Sequence, residues 1–396
     1  MSEWKEYKLG GLAEITSSKR IFYSDYVPVG IRFYRSKEII EKSLGETSGE
    51  PLFISVERFE EIRSKFGAPV DGDLLISAVG ERAGIPYVVK NLGDFYFKDG
   101  NLIWFRNIKK EFDVVFFCYW LKSAVGKMTL ESIMIGSAQK ALTIVGLKNL
   151  AIKLPPLPEQ AAIASILSSL DDKIDLLHRQ NTTLEKMAET LFRQWFVEEA
   201  KEEWESQYRI EDLVESVSIT HKFPKQNIVF LNTSDIYLGN VINHNPITKH
   251  SLPGQAKKSI KKDDILFSEI RPANGRWAYV DFDAENYVVS TKLMVLRSKN
   301  IISQAFIYFY LTNPATVEWL QMIAESRSGT FPQITFDQIK VLKVNIPSEK
   351  ILNESIVWCE TTLKKIKSNQ TQIRTLTAMR DTLLPKLMSG EVKVED

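Results

Sequence analysis

The chain has 396 residues, with 51 Lys and Arg against 50 Asp and Glu, a formal net charge of +1. That length exceeds one small core and suits two domains with connectors. A near-neutral sum leaves nucleic-acid binding open, because the local placement of cations matters more than their total. The two cysteines, Cys118 and Cys359, fall one in each half within apolar helical patterns, and the four histidines show no ligand spacing. This excludes a disulfide framework and a cysteine–histidine metal site. No stretch is long and apolar enough to span a bilayer, and no signal-like apolar run opens the sequence, so a cytoplasmic protein without membrane contact is expected.

In chain order, residues 1–157 read as a first globular unit. Short β-rich runs (Ile31–Tyr34, Leu74–Ser77, Tyr87–Val89, Asn101–Phe105 and Ala151–Leu154) are punctuated by Gly, Asp and Pro. Phe112–Ser123 is continuous enough for a buried helix, and a shorter amphipathic piece follows it. Residues 158–198 read as one long helix. Pro158 suits its first turn, and Glu159 is favourable beside the positive N-terminal end. Ile163, Leu170, Leu177, Leu184 and Leu191 recur at sevens, with Leu167, Ile174, Asn181, Ala188 and Trp195 on the adjacent line, the pattern of a coiled-coil seam.

Residues 199–347 repeat the first plan, with strands expected at Ile228–Leu231, Ile265–Ser268, Trp277–Val280, Lys292–Arg297 and Val341–Ile346. Helices are expected at Ala305–Leu311 and Val317–Ile323, parted by Asn313–Pro314. Residues 348–396 give a second long helix and a tail, with Ile356, Cys359, Leu363, Ile366, Ile373, Leu376, Leu383 and Leu387 on its seam. Forty helical residues span roughly 60 Å, and such a helix with one apolar stripe is marginal alone. The two are therefore expected to pack as an antiparallel pair. Asn181 and Asn369 interrupt the two seams, either as a buried register device or as positions turned partly to solvent.

The two halves are an internal duplication. Gly136–Ser137–Ala138–Gln139–Lys140–Ala141–Leu142–Thr143 answers Ser328–Gly329–Thr330–Phe331–Pro332–Gln333–Ile334–Thr335, with Thr143 lying 192 residues before Thr335. Each turn leads through a short apolar strand to a proline joint, Leu154–Pro155–Pro156–Leu157–Pro158 or Ile346–Pro347, and then to a long helix. Gly72–Asp73–Leu74–Leu75–Ile76–Ser77 answers Asp263–Asp264–Ile265–Leu266–Phe267–Ser268 at an offset of 191. The fold class is α+β, with two similar mixed α/β domains separated by two long antiparallel coiled-coil helices.

No catalytic constellation is present: no phosphate loop, no metal-like carboxylate pair and no nucleophile elbow. Asp263–Asp264 reads as a strand-entry turn, since the first half has Gly72–Asp73 there. Pro155–Pro156 lacks the amide and aromatic of a target-adenine motif and reads as a rigid joint. No cofactor is expected. Candidate DNA-binding residues are Arg20, Arg35, Arg82 and Lys140 in the first half, with Lys258, Arg271, Asn274, Arg276 and Arg327 in the second. Arginine can bind guanine edges or phosphates and asparagine adenine edges, whereas any single charge also fits a solvated surface. Arg82, Arg271 and Arg276 stand out because they sit in duplicated loops, Ser77–Gly84 and Ser268–Trp277. Trp277 fits a core strand as well as a stacking platform.

The chain resembles the specificity subunit of type I restriction–modification enzymes over essentially its whole length. The resemblance rests on Leu154–Pro155–Pro156–Leu157–Pro158–Glu159–Gln160, Asp171–Asp172–Lys173–Ile174, Leu191–Phe192–Arg193–Gln194–Trp195–Phe196, Ile270–Arg271–Pro272–Ala273–Asn274–Gly275 and Leu383–Leu384–Pro385–Lys386–Leu387–Met388–Ser389–Gly390. It implies two target recognition domains, each reading half of an asymmetric bipartite site in double-stranded DNA, and spacer helices that dock two methyltransferase subunits. Restriction and translocase subunits complete such a complex, and the S-adenosylmethionine chemistry lies outside this chain. The first domain departs from the Ile-Arg-Pro pattern, with Ala78–Val79–Gly80–Glu81. A two-domain coiled-coil scaffold that binds only proteins is the competing reading.

Overall fold

The computed structural model describes residues 4–45, 49–136, 140–198, 208–222, 225–344 and 349–394. Parts of the duplicated turn (137–139) and of the second proline joint (345–348) therefore lie outside the described residues. The chain divides into two compact units: Met1–Leu176 with Ile373–Asp396, and Leu177–Gln372.

In the first unit, strands Glu14–Thr16, Leu102–Arg106, Leu74–Ser77 and Pro86–Val88 form an antiparallel sheet in that spatial order. A second sheet orders Tyr26–Val27, Leu52–Ile54, Ile31–Tyr34 and Phe95–Phe97, with the last pair parallel. Lys5–Lys8 pairs antiparallel with Ala151–Leu154, clasping the entry of the domain to its exit. Strand Leu74–Ser77 is buried on both faces. Leu74 and Ile76 meet Phe116, Phe117 and Trp120 of helix Val114–Lys122, while Leu75 meets Phe95, Phe97 and Trp104. That explains why it reads as a continuous apolar run rather than an alternating one. The helix starts where it does because the Asp113 carboxylate accepts the backbone N–H groups of Val115 and Phe116, capping donors that have no intrahelical partner.

The second unit repeats this plan in detail. Val214–Val217, Leu293–Ser298, Ile265–Ser268 and Trp277–Tyr279 form the antiparallel sheet, and Asn227–Leu231 runs parallel to Tyr287–Ser290 in the other. Leu74 pairs with Phe105 in the first sheet and Ile265 with Leu296 in the second, so both partners shift by 191 and the register itself is duplicated. Asn313 caps helix Pro314–Arg327 through the Ala315 N–H, which places the Asn313–Pro314 break at a helix start. The strand expected over Val341–Ile346 is seen at Lys343–Val344, paired with Tyr208–Arg209.

The central helix runs Leu157–Arg193 and continues as a π-helical turn over Gln194–Glu198, and the C-terminal helix runs Glu349–Ser389. In the first unit, Ile163, Ala164 and Leu167 share a core with Leu387 and Met388, and Arg380 is ion-paired with Asp171 at 2.9 Å. In the second unit, Leu184, Ala188, Phe192 and Phe196 share a core with Ile356, Cys359, Leu363 and Ile366. Rising numbers on one helix meet falling numbers on the other, so the pairing is antiparallel in both units. Leu177 is buried, while Leu170, Ile174, Leu191, Ile373, Leu376 and Leu383 are half-buried. Near the end of the first seam the buried positions move to Phe192 and Phe196, whose rings pack on Phe306 at 5.4 and 5.1 Å.

The two asparagines are a buried pair: Asn369 Nδ2 donates to Asn181 Oδ1 at 2.8 Å, and Asn181 Nδ2 to the Ile366 carbonyl at 3.4 Å. Of the two readings of these residues, the register device is the one with partners in place. Replacing Asn369 alone with Leu leaves the buried Asn181 Oδ1 without its donor and is expected to cost about 1–3 kcal/mol in a denaturant titration. The double change Asn181→Leu/Asn369→Leu is expected to recover that loss and raise the melting temperature, because an apolar seam needs no matched partners.

Candidate nucleic-acid interface

Each candidate loop is anchored by a buried serine at the end of a central strand. In the first unit, Ser77 Oγ accepts the Ile85 N–H at 2.9 Å and donates to the Arg82 carbonyl, closing residues 78–84 into a tight loop. Gly80 and Gly84 have φ of 89° and 93°, the left-handed region where a side chain is strained. The loop is laced to the duplicated turn by the Leu142 N–H to the Ala78 carbonyl at 2.8 Å and the Gly80 N–H to the Lys140 carbonyl at 3.0 Å. Arg82 and Lys140, some 58 residues apart in sequence, thus share one exposed rim.

The second unit is built the same way. Ser268 Oγ accepts the Ile270 N–H at 3.0 Å, and the Ser268 N–H reaches the Arg276 carbonyl at 2.9 Å. The Arg271 N–H donates to Pro332 and the Ile334 N–H to Glu269, at 3.1 and 2.9 Å, so the loop is again laced to the duplicated turn. Helix Pro314–Arg327 clamps the tip, with Gln321 Oε1 accepting the Ala273 N–H at 3.0 Å. Arg271 has φ of 44°, an uncommon conformation for a residue with a side chain, and the clamps on both sides hold it there.

Arg271 is exposed and its guanidinium reaches the Thr330 carbonyl at 3.3 Å; Asn274 and Arg327 are exposed as well. Arg276 is half-buried, donating to the Ser234 and Ile236 carbonyls at 3.2 and 3.1 Å with its guanidinium 5.3 Å from the Tyr237 ring centre. Trp277 is buried and stacked on Phe267 at 5.8 Å, so it is a core strand residue. Three candidates lie on other segments with their charge engaged. Arg20 pairs with Asp99 at 3.1 Å, and Arg35 pairs with Glu38 at a helix start. Lys258 donates to the Thr291 and Leu293 carbonyls at 3.1 and 2.8 Å, where burial pulls its pKa below the ordinary lysine value.

Other residues without a distinctive sequence signal stand beside these loops or brace the joint. Phe331, in the middle of the second duplicated turn, is 72% exposed. Tyr237 and Leu238 are exposed where their turn packs on Gly275. Only the Leu238–Gly239–Asn240 turn chemistry hinted at them. Gln160 explains the amide of the Pro158–Glu159–Gln160 motif. It is buried, accepts the Asp113 N–H at 3.0 Å and donates to the Glu111 and Pro155 carbonyls at 3.1 and 2.9 Å, pinning the proline joint to the domain.

The strand-entry carboxylates are structural. Asp73 accepts Trp104 Nε1 at 2.8 Å and the Val70 N–H at 3.0 Å, and burial raises its pKa. Asp264 takes both arms of the Arg297 fork at 2.8 and 2.9 Å. Among the described residues no group of three His, Cys, Asp or Glu is placed to hold a metal ion, and no helix is long and apolar enough to cross a membrane.

Residues 1–186 and 201–377 match the type I restriction modification DNA specificity domain. The chain belongs to that family. The HindI specificity subunit of Haemophilus influenzae is 50% identical over 147 residues, which cover 36% of this chain and 32% of that subunit. The match thus spans about a third of that relative's length. The MjaIX specificity subunit of Methanocaldococcus jannaschii is 27% identical over 322 residues, 74% of this chain and 72% of that subunit. The crystal structure of the S subunit of a type I restriction–modification system from M. genitalium has the same fold, with a TM-score of 0.65 over 97% of this chain and 96% of that one, at 18% identity.

Within this family fold, the Asp264–Arg297 pair is a sensitive point. Arg297→Met leaves a fully buried carboxylate without its partner and is expected to destabilise the second unit by about 3–5 kcal/mol, read as a lower denaturant midpoint.

Proposed function

We propose that this chain is the non-catalytic subunit that gives a type I restriction–modification complex its DNA specificity. The domain at 1–157 reads one half of a bipartite asymmetric site in double-stranded DNA, and the domain at 199–347 reads the other. The carrying observation is a repeated construction with unequal content: in both units a buried serine anchors an arginine-bearing loop that is laced to the duplicated turn, yet the loops read Ala78–Val79–Gly80–Glu81–Arg82 and Glu269–Ile270–Arg271–Pro272–Ala273–Asn274. Shared scaffolding holds the rims alike, and different side chains on those rims suit different base edges. Backbone clamps also lower the ordering cost that a loose loop would meet on binding.

The helices at 158–198 and 348–396 set the unread spacer between the halves. Leu176 and Met379 in the first unit, and Met187 and Val357 in the second, stay exposed on them and are offered to two methyltransferase subunits. Restriction and translocase subunits join this assembly for cleavage. The chain itself holds no cofactor in this reading, since adenine methylation belongs to its partners.

Arg271→Ala is expected to weaken binding about tenfold or more, the size of one base-edge contact, only on probes with an intact second half-site. Probes altered in one half at a time read this out, and equal loss on every probe would mark a phosphate contact. Inserting seven residues into each helix, at matched levels of the pair, is expected to lengthen the spacer in the methylated site. Genome-wide mapping of methylated adenines measures it, and an unchanged spacer would refute the spacing role.

A further inference from the structure

The C-terminal helix carries a buried cation. Lys367 is 8% exposed, and its ammonium donates to the Gly239 carbonyl at 2.5 Å. Its charge also acts on Glu185 of the central helix. A lysine is rarely buried without a task, because desolvating its charge is unfavourable unless strong partners replace water.

The carbonyl it holds belongs to an unusual turn. Leu238 and Gly239 both have positive φ, 41° and 86°, and a Cβ on Gly239 would sit 2.4 Å from the Tyr308 hydroxyl. The turn is tied to the candidate reading loop by the Leu238 N–H to the Gly275 carbonyl at 2.8 Å and the Gly239 N–H to the Trp277 carbonyl at 2.9 Å. On its outer side it presents Tyr237 and Leu238, and the Arg276 guanidinium lies over the Tyr237 ring. One continuous set of bonds therefore runs from the helix through Lys367 and Gly239 to the loop Ser268–Trp277. The helix rotation that aims Lys367 is set beside it, since Asn181 bonds the Ile366 carbonyl and Asn369 lies two residues on.

We propose that Lys367 is a positioning residue for DNA reading by the second domain, holding the Tyr237–Gly239 turn and, through it, the Arg276-bearing end of the loop in the pose that discriminates bases. The proposal rests on the DNA-reading function given above. It predicts a one-sided effect. With Leu177 of the first helix aligned on Ile366 of the second, the residue answering Lys367 is His178, which is exposed, so the buried cation is not repeated at the matching place.

The test uses the complex assembled with its methyltransferase subunits, on probes altered in one half-site at a time. Lys367→Met keeps the length and apolar stem but loses the donors. It is expected to reduce discrimination at the second half-site about tenfold, the scale of one base-specific contact, and to leave the first half-site at its native value. Lys367→Arg, which can still donate to the carbonyl, is expected to retain discrimination. Equal loss at both half-sites, or none, overturns the proposal. Should Lys367→Met fail to assemble, Gly239→Ala with Tyr308→Phe keeps the lysine and clears the hydroxyl, leaving an alanine strained at a φ of 86° to shift the same carbonyl from the other end. The same one-sided loss is expected from it, with Tyr308→Phe alone as the native-like control, and native discrimination in the double variant overturns the proposal. A native complex indifferent to changes in either half-site refutes instead the DNA-reading function beneath it.

Discussion

Two helices of 37 and 41 residues, each apolar along one stripe, have to cover those stripes. Neither could stay folded in water alone, since helix propensity supplies little and packing supplies most of the stability. Their answer is each other, run antiparallel. The rest of the chain follows from that pairing, because each domain then receives a stretch of both helices into its core: Ile163 and Leu167 with Leu387 and Met388 in the first, Ala188 and Phe192 with Leu363 and Ile366 in the second. In the first unit the C-terminal helix ends beside the first strand, where a Cβ on Gly390 would lie 3.7 Å from the Trp4 ring. The Asn181–Asn369 pair sets a hydrogen-bonded polar contact between the two helices, and a slip in register would part these buried amides.

Duplication conserved what geometry must share and released what recognition must vary. The sheet register, the parallel strand pair, the buried serine at the strand end and the lacing to the Ser/Gly turn occur in both units. The carboxylate at the strand entry is shared too, but its partner differs: Trp104 in one unit and Arg297 in the other. Loop rims differ more: Gly80 answers Arg271 at the offset of 191, and the positive φ that both share falls on glycine in one unit and on arginine in the other. A DNA specificity domain present twice in one chain suits this division, with alike supports beneath differing edges.

Much of this was legible in the residues themselves. Seven-residue spacing revealed both helices, because a side chain's place on a helix follows directly from its number. The repeated Gly-Asp and Asp-Asp strand entries, the Ser/Gly turns and the proline joint revealed the duplication and, with it, two domains of one design. Less legible were short elements whose identity is settled by neighbours far along the chain. Phe95–Phe97 is three residues long and becomes a strand by lying parallel to Ile31–Tyr34. The ambiguity of Trp277 and of the two asparagines was of the same kind, since burial is a property of what packs on a residue and not of the residue.

The sequence by itself determined the repeat, the helical seams, the family and the list of basic residues in variable loops. Only the tertiary structure decided which of those charges stand at a rim. It brought Arg82 to Lys140 and Arg271 to the Thr330 turn, turned Lys258 inward onto two backbone carbonyls, and set Lys367 under the Gly239 turn. The physical reason is that periodicity encodes a side chain's direction within its own element, whereas a charge's partners are chosen by strands and turns tens to more than a hundred residues away.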